Sequence, residues 1–310
     1  MKKLISIIAV FMFIGFYSIA QNTSDVYQSG EANGAVVMQA GALNYNFSDQ
    51  QGEGNNVFVG QMGEANQAFK TQRGTLNMGM SEQGGIGNLG TQDQHGNGNS
   101  ALSIQFMNDN VSEQIQRGKL GQATVNQMGF ENYAYQYQQG NSNNASIMQM
   151  REGNEAFQEQ LHRENVANAF QSGVGNLSEQ FQSGIMNVAD VEQWGDENYA
   201  SQTQGNDDGE GLGEGENDHP HSAEYNYANV LQNGSGNSSI QYQLGESNEA
   251  WSVQDGRSNS SWQEQNGFEN YSMTIQEGTM NRSEVFQFNA GHNSFVNQAG
   301  NGNSAFVTQF

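Results

Sequence analysis

The chain has 310 residues, with 33 acidic against 10 basic, a formal net charge of −23 and no cysteine. That balance makes nucleic acid and anionic membranes poor partners, and the missing thiols remove disulfides and thiolate metal sites. A chain like this, if exported, resists its surroundings through backbone hydrogen bonding alone.

Residues 1–20 read as a secretory signal peptide, because Lys2 and Lys3 precede an apolar run from Leu4 to about Phe16 and Ser18, Ile19 and Ala20 follow at the cleavage positions. An uncleaved membrane anchor is the other reading of that run. No later segment has the ~18 consecutive apolar residues of a spanning helix. Residues 21–27 form a short N-terminal segment.

From Gln28 a glutamine recurs at every eleventh position, through Gln39, Gln94, Gln105, Gln127, Gln138, Gln160, Gln171 and Gln193 to Gln204. After one interruption the register resumes at Gln232 and passes Gln243, Gln265, Gln276 and Gln298 to Gln309. Five places after each glutamine stands an asparagine, as at Asn33, Asn99, Asn132, Asn165, Asn198, Asn237, Asn270 and Asn303; Gly121 and His292 are the exceptions. Glycine fills the second place, as at Gly30, failing at Met107, Arg151, His162, Asn206 and Asn289. A fixed short period over residues 28–309 is the mark of a stacked repeat.

Counted from each glutamine, offsets 5, 7, 9 and 11 advance by twos, so Asn, Ala or Ser, a variable residue and the next Gln share one face of a strand. The glycine and the two mostly small or polar residues after it supply a turn. Each unit is then one strand plus one tight turn. At offset 9, Gln92, Gln114 and Gln136 alternate with Ser103, Val125 and Ile147. Like residues 22 apart belong one above the other, so the expected fold is an all-β solenoid with two strands per coil. Twenty-four units give about 12 coils, roughly 58 Å long at ~4.8 Å per coil. A helical eleven-residue repeat is disfavoured by the recurring Gly and Asn and the many β-branched and aromatic residues.

Such an interior is largely carboxamide, and a buried amide costs free energy unless paired. Stacking like on like pairs it, as in cross-β Asn and Gln ladders. The expected ends carry no cap, and an open edge with half-satisfied ladders is most easily completed by another copy of the chain.

The interruption, at about 205–225, is acidic and Gly-rich, with Asp207, Asp208, Glu210, Glu214, Glu216, Asp218 and the sole proline, Pro220. Its spacing matches no calcium loop, so it reads as a disordered acidic loop rather than a calcium or partner site. His219 and His221 flank the proline as conceivable metal ligands, while His95, His162 and His292 stand beside no nucleophile and carboxylate. No catalytic site, metal or cofactor is expected. Fourteen aromatics, among them Phe47, Phe157, Trp251, Trp262 and Phe306, fall on outward positions. They either cover the backbone and pair along the sheet or form a lateral or adhesive face.

The unit Gln-x-Gly-x-x-Asn-x-Ala-x-x-x-Gln, as in Gln298, Gly300, Asn303, Ala305 and Gln309, resembles the curlin repeat of curli subunits, and the resemblance covers Gln28 to Gln309. It implies a secreted subunit of an extracellular, cell-surface amyloid fibre used for adhesion and biofilm matrix. It also implies partners: a curli-type secretion pore, a nucleator subunit and the chain itself. Known curlin subunits have fewer repeats and lack the acidic insertion, which leaves elongating and nucleating roles both open. The rival is a monomeric β-solenoid adhesin binding ice, mineral or glycan through one face, which needs a regular outward motif such as aligned Thr columns.

Overall fold

In the computed structural model the described residues are 21–205 and 223–310, and they form a parallel β-solenoid without a helix. The expected leader and insertion residues 206–222, with both of their histidines and Pro220, lie outside the described residues. Strands run from β1 (Thr23–Glu31) to β26 (Ser304–Gln309), most of them nine residues long with two residues between. β1 begins at Thr23, so the solenoid starts inside the segment 21–27.

Successive strands alternate between two sheets. One is bounded by β1 and β26, the other by β2 (Gly34–Ala42) and β25 (Asn293–Asn301). Pairing is parallel and in register 22 residues apart: Gln92 lies beside Gln114, and Gln114 beside Gln136. Val125 lies between Ser103 and Ile147 in the other sheet. The coil is the two-strand coil that the alternation at offset 9 implied, repeated about twelve times.

The row count differs by one from the twenty-four strands expected. Each ladder glutamine sits in a row of its own rather than between rows, which gives thirteen rows in one sheet and twelve in the other. The extra half coil matters below. In one of the thirteen rows the chain leaves after β17 (Tyr199–Gln204) and returns as β18 (Ala223–Glu224). Both pieces pair with β15 (Leu177–Ile185) on one side and β20 (Ser238–Glu246) on the other. Ala223, not Asn206, therefore fills the glycine place opposite Gly184.

The alternation predicted for one strand is seen throughout. In β11 (Tyr133–Asn141), Ala134, Gln136 and Gln138 are buried, while Tyr133, Tyr135 and Tyr137 face outward and are half-buried. Apolar clusters such as Val125, Ala134, Ile147, Ala156 and Ala169 occupy only part of the interior. Amides and hydroxyls fill the rest.

The corner explains the glycine. At Gly118, φ is 136° and an added Cβ would lie 1.9 Å from the carbonyl oxygen of Gly140 in the next coil. Met107, Arg151, His162 and Asn289, which stand in that place, take φ of 74–80° instead. Two residues further on the chain passes through the left-handed region whatever the side chain, as at Leu76 (56°), Met186 (55°) and Tyr225 (55°). The turn thus does not depend on small or polar residues there, because that side chain points to solvent.

Candidate functional site: amide ladders and open edges

Parallel, in-register stacking places each glutamine directly over its like, close enough for one amide to donate to the next. In the thirteen-row sheet Gln28 Nε2 donates to Gln50 Oε1 at 2.7 Å, and the chain of bonds continues through Gln94, Gln138 and Gln160 to Gln309. The other sheet carries a second ladder, from Gln39 through Gln105, Gln127, Gln171, Gln193, Gln232 and Gln276 to Gln298. Gln243 and Gln265 continue the first ladder past the insertion, whose two sides are bridged by Gln204 Nε2 donating to Gln243 Oε1 at 2.9 Å. A third column, Gln92 to Gln263, lies inside the thirteen-row sheet.

Every glutamine-to-glutamine bond in these ladders is donated toward the C-terminal end. The asparagines run the other way. Asn55 Nδ2 donates to Asn33 Oδ1 at 3.1 Å in the preceding coil, Asn55 N–H donates to the same oxygen, and Asn55 Nδ2 also reaches Gly74 O. Asn132, Asn198, Asn237, Asn270 and Asn303 repeat the amide-to-amide bond. Asn99 and Asn165 accept from the backbone N–H of the next coil, Asn99 from Gly121 and Asn165 from Asn187. Asn143, above Gly121, has no amide beneath it and turns to Gln139 O and His162 O.

At the two ends the columns are unfinished. Gln28 is exposed, and Gln39 and Asn33 are half-buried. At the other end Asn303 is exposed and Gln309 half-buried, and the only acceptor of Gln309 Nε2 is Asn293 O. The predicted ladder residues thus fall into two groups, an interior set with partners above and below and an edge set with a partner on one side.

One interior residue escaped sequence reasoning. Lys70 in β5 (Gln67–Thr75) occupies the amide column below Gln92, is 1% exposed, and donates from Nζ to Gln92 Oε1. Its neighbours in the column and across the coil, Ser48, Gln92, Gly79 and Ser81, carry no charge. Burial pushes its amine well below the usual lysine range. The signal was available: residue 70 lies 22 before Gln92, on an inward offset.

No Asp or Glu is buried among the described residues. Acids decorate the outside, where Tyr199 donates to Glu179 at 2.7 Å; partial burial and this bond raise the Tyr199 pKa. Among the described residues no group of three His, Cys, Asp or Glu could hold a metal. His95 pairs with Asp93 on the surface. All fourteen outward aromatics are exposed or half-buried, and several pair between neighbouring coils, as Tyr133 with Phe157 at 5.4 Å and Phe170 with Trp194 at 4.7 Å.

These features define a class, the two-strand β-solenoid with a carboxamide core. Within it, residues 122–150 match the family model of the curlin associated repeat, a stretch that takes in Gln127, Gln138 and Gln149 over three successive strands. The matched stretch and the solenoid fold are consistent with a curlin-like structural subunit. No curated protein matches the chain.

Proposed function

We propose that the chain is a secreted structural subunit that self-assembles into curli-like extracellular amyloid fibres for adhesion and biofilm matrix. The observation that carries this reading is the complementarity of the two ends. The β1 and β2 edge offers the Oε1 acceptors of Gln28 and Gln39, to which no glutamine among the described residues donates. The β25 and β26 edge offers Nε2 protons of Gln298 and Gln309, each of which has only a backbone acceptor.

In the glutamine ladders one edge accepts and the other donates, and the asparagines complement each other in the opposite sense, so the two edges suit head-to-tail stacking of copies. The outward carboxylates keep the free chain soluble and oppose lateral pairing before an edge is met. Export through a curli-type pore and initiation by a nucleator subunit belong to the same reading, which the repeat match supports.

Purified protein at neutral pH is expected to form fibres with a reflection near ~4.7 Å, faster when pre-formed seeds are added. A chain that stays monomeric at high concentration overturns the reading.

A further inference from the structure

Twenty-five rows is an odd number, and an odd number decides how two copies can meet. The outermost rows at the C-terminal end are β25 in the twelve-row sheet and β26 in the thirteen-row sheet. If an incoming copy set β1 on β26, keeping like sheet on like sheet, no strand would lie between β25 and the incoming β2. The backbone edge and the Gln298 amide would face that gap.

We infer that successive copies join with a half turn about the long axis, β1 of the incoming copy adding to β25 and its β2 to β26, so that the two sheets exchange at every joint. This rests on the end-to-end reading above. It fills every row, and the side chains agree with it. Inward on β25 stand Ser294, Val296 and Gln298, which meet Ser24, Val26 and Gln28 of β1. Inward on β26 stand Ala305, Val307 and Gln309, which meet Ala35, Val37 and Gln39 of β2. Like sheet on like sheet would instead set Ser24 on Ala305.

Three further observations fit the half turn. Gln298 and Gln309 would donate to Gln28 and Gln39, continuing both ladders in the direction they hold within the chain. Gly300 keeps the corner φ of 113°, yet its nearest neighbour is Asn303 Nδ2 at 3.6 Å, and the space filled by a carbonyl oxygen at every other such corner is open. The carbonyl of Gly30 of the next copy would take it. Neither β25 nor β26 carries a charge, so Asp25 and Glu31 of the incoming β1 meet no like charge on a chain of net charge −23. Among the inward positions the one unlike pair is Asn22 over His292, whose Nε2 is buried without a partner.

The chain has no cysteine, which makes the register directly testable. Under the half turn, Tyr27 of one copy lies beside Asn297 of the next; under like-on-like stacking it lies beside Thr308. In-register neighbours ~4.8 Å apart are within disulfide reach. Fibres of Tyr27→Cys with Asn297→Cys should give covalent multimers on oxidation, and fibres of Tyr27→Cys with Thr308→Cys should give monomers on a non-reducing gel. The reverse pattern, or fibres in which neither pair links, overturns the half turn and leaves fibre formation standing. Failure of the unsubstituted chain to form fibres overturns the function itself.

Discussion

Gln138 is the clearest place to weigh an amide ladder. It is 2% exposed, its Oε1 accepts from Gln116 Nε2 at 2.9 Å, and its Nε2 donates to Gln160 Oε1 at 2.9 Å and Gln122 O at 2.8 Å. Gln138→Met keeps the length and shape of the side chain and removes these bonds. One N–H of Gln116 and the oxygen of Gln160 are then buried unpaired, at about 1–3 kcal/mol each. Met gains a little by burying its thioether in place of an amide, so the net loss is about 2–4 kcal/mol. Gln138→Ala adds an unfilled space and should cost about 2 kcal/mol more. Gln309→Met, at a half-exposed edge, leaves one N–H of buried Gln287 without its acceptor but has no glutamine above it to strand, so it should cost the isolated fold about 1–2 kcal/mol, less than Gln138→Met. Urea unfolding of dilute, unseeded protein followed by circular dichroism gives the three values. A Gln138→Met variant within about 0.5 kcal/mol of the parent would mean that the ladder does not hold the solenoid together.

The other expectations concern single columns and corners. Lys70 has its amine pushed down by burial, so the unfolded chain binds the proton more tightly than the folded one. Stability is then full above the unfolded lysine pKa near ~10.4 and falls as pH drops toward the folded value, by up to about 1.4 kcal/mol per pH unit. Lys70→Met should remove that slope, and parallel stability curves for parent and variant from pH 10 downward would refute it. Gly118→Ala, with its Cβ 1.9 Å from Gly140 O, should cost about 4 kcal/mol or more, whereas Gly153→Ala, at φ 63° with nothing within 4 Å, should cost about 1 kcal/mol. Thermal melts of the two side by side decide the point, and similar losses would refute it. Gly121→Asn restores the missing amide under Asn143 and should stabilise the fold by about 1–2 kcal/mol, to be seen as a higher urea midpoint at unchanged slope.

Period, coil size and the buried face were legible because parallel in-register stacking copies each row onto the next, so that Gln92, Gln114 and Gln136 reveal the coil before any coordinate does. Lys70 was legible by position alone, 22 residues before Gln92, and its residue type hides it, since a single cation breaks the pattern that makes an amide column visible. The left-handed residue left only a partial trace, since Gly54, Gly87, Gly98 and Gly236 stand in the same place as Leu76 and Tyr225, whose exposed side chains are tolerated there. The directions of the ladders are rotamer choices, and the identity of Gln and Asn alone does not encode them. Row parity follows the ladder glutamines, one to a row, and not the intervals between them.

The columns at offset 9 differ between the sheets, amide from Gln92 to Gln263 in one and Val, Ile, Ala, Ser or Thr in the other, and this restricts how the gene can change length. Loss or duplication of 22 residues slides whole coils and returns Gln onto Gln. Loss of the eleven residues 161–171 would carry every later strand into the opposite sheet and set Gln158 beneath Val191 and Ile147 beneath Gln180, stranding amides against methyl groups. Copy number in the middle of such a chain should therefore drift in steps of two units, while the ends, where Val26, Val37, Val296 and Val307 stand in both columns, tolerate steps of one.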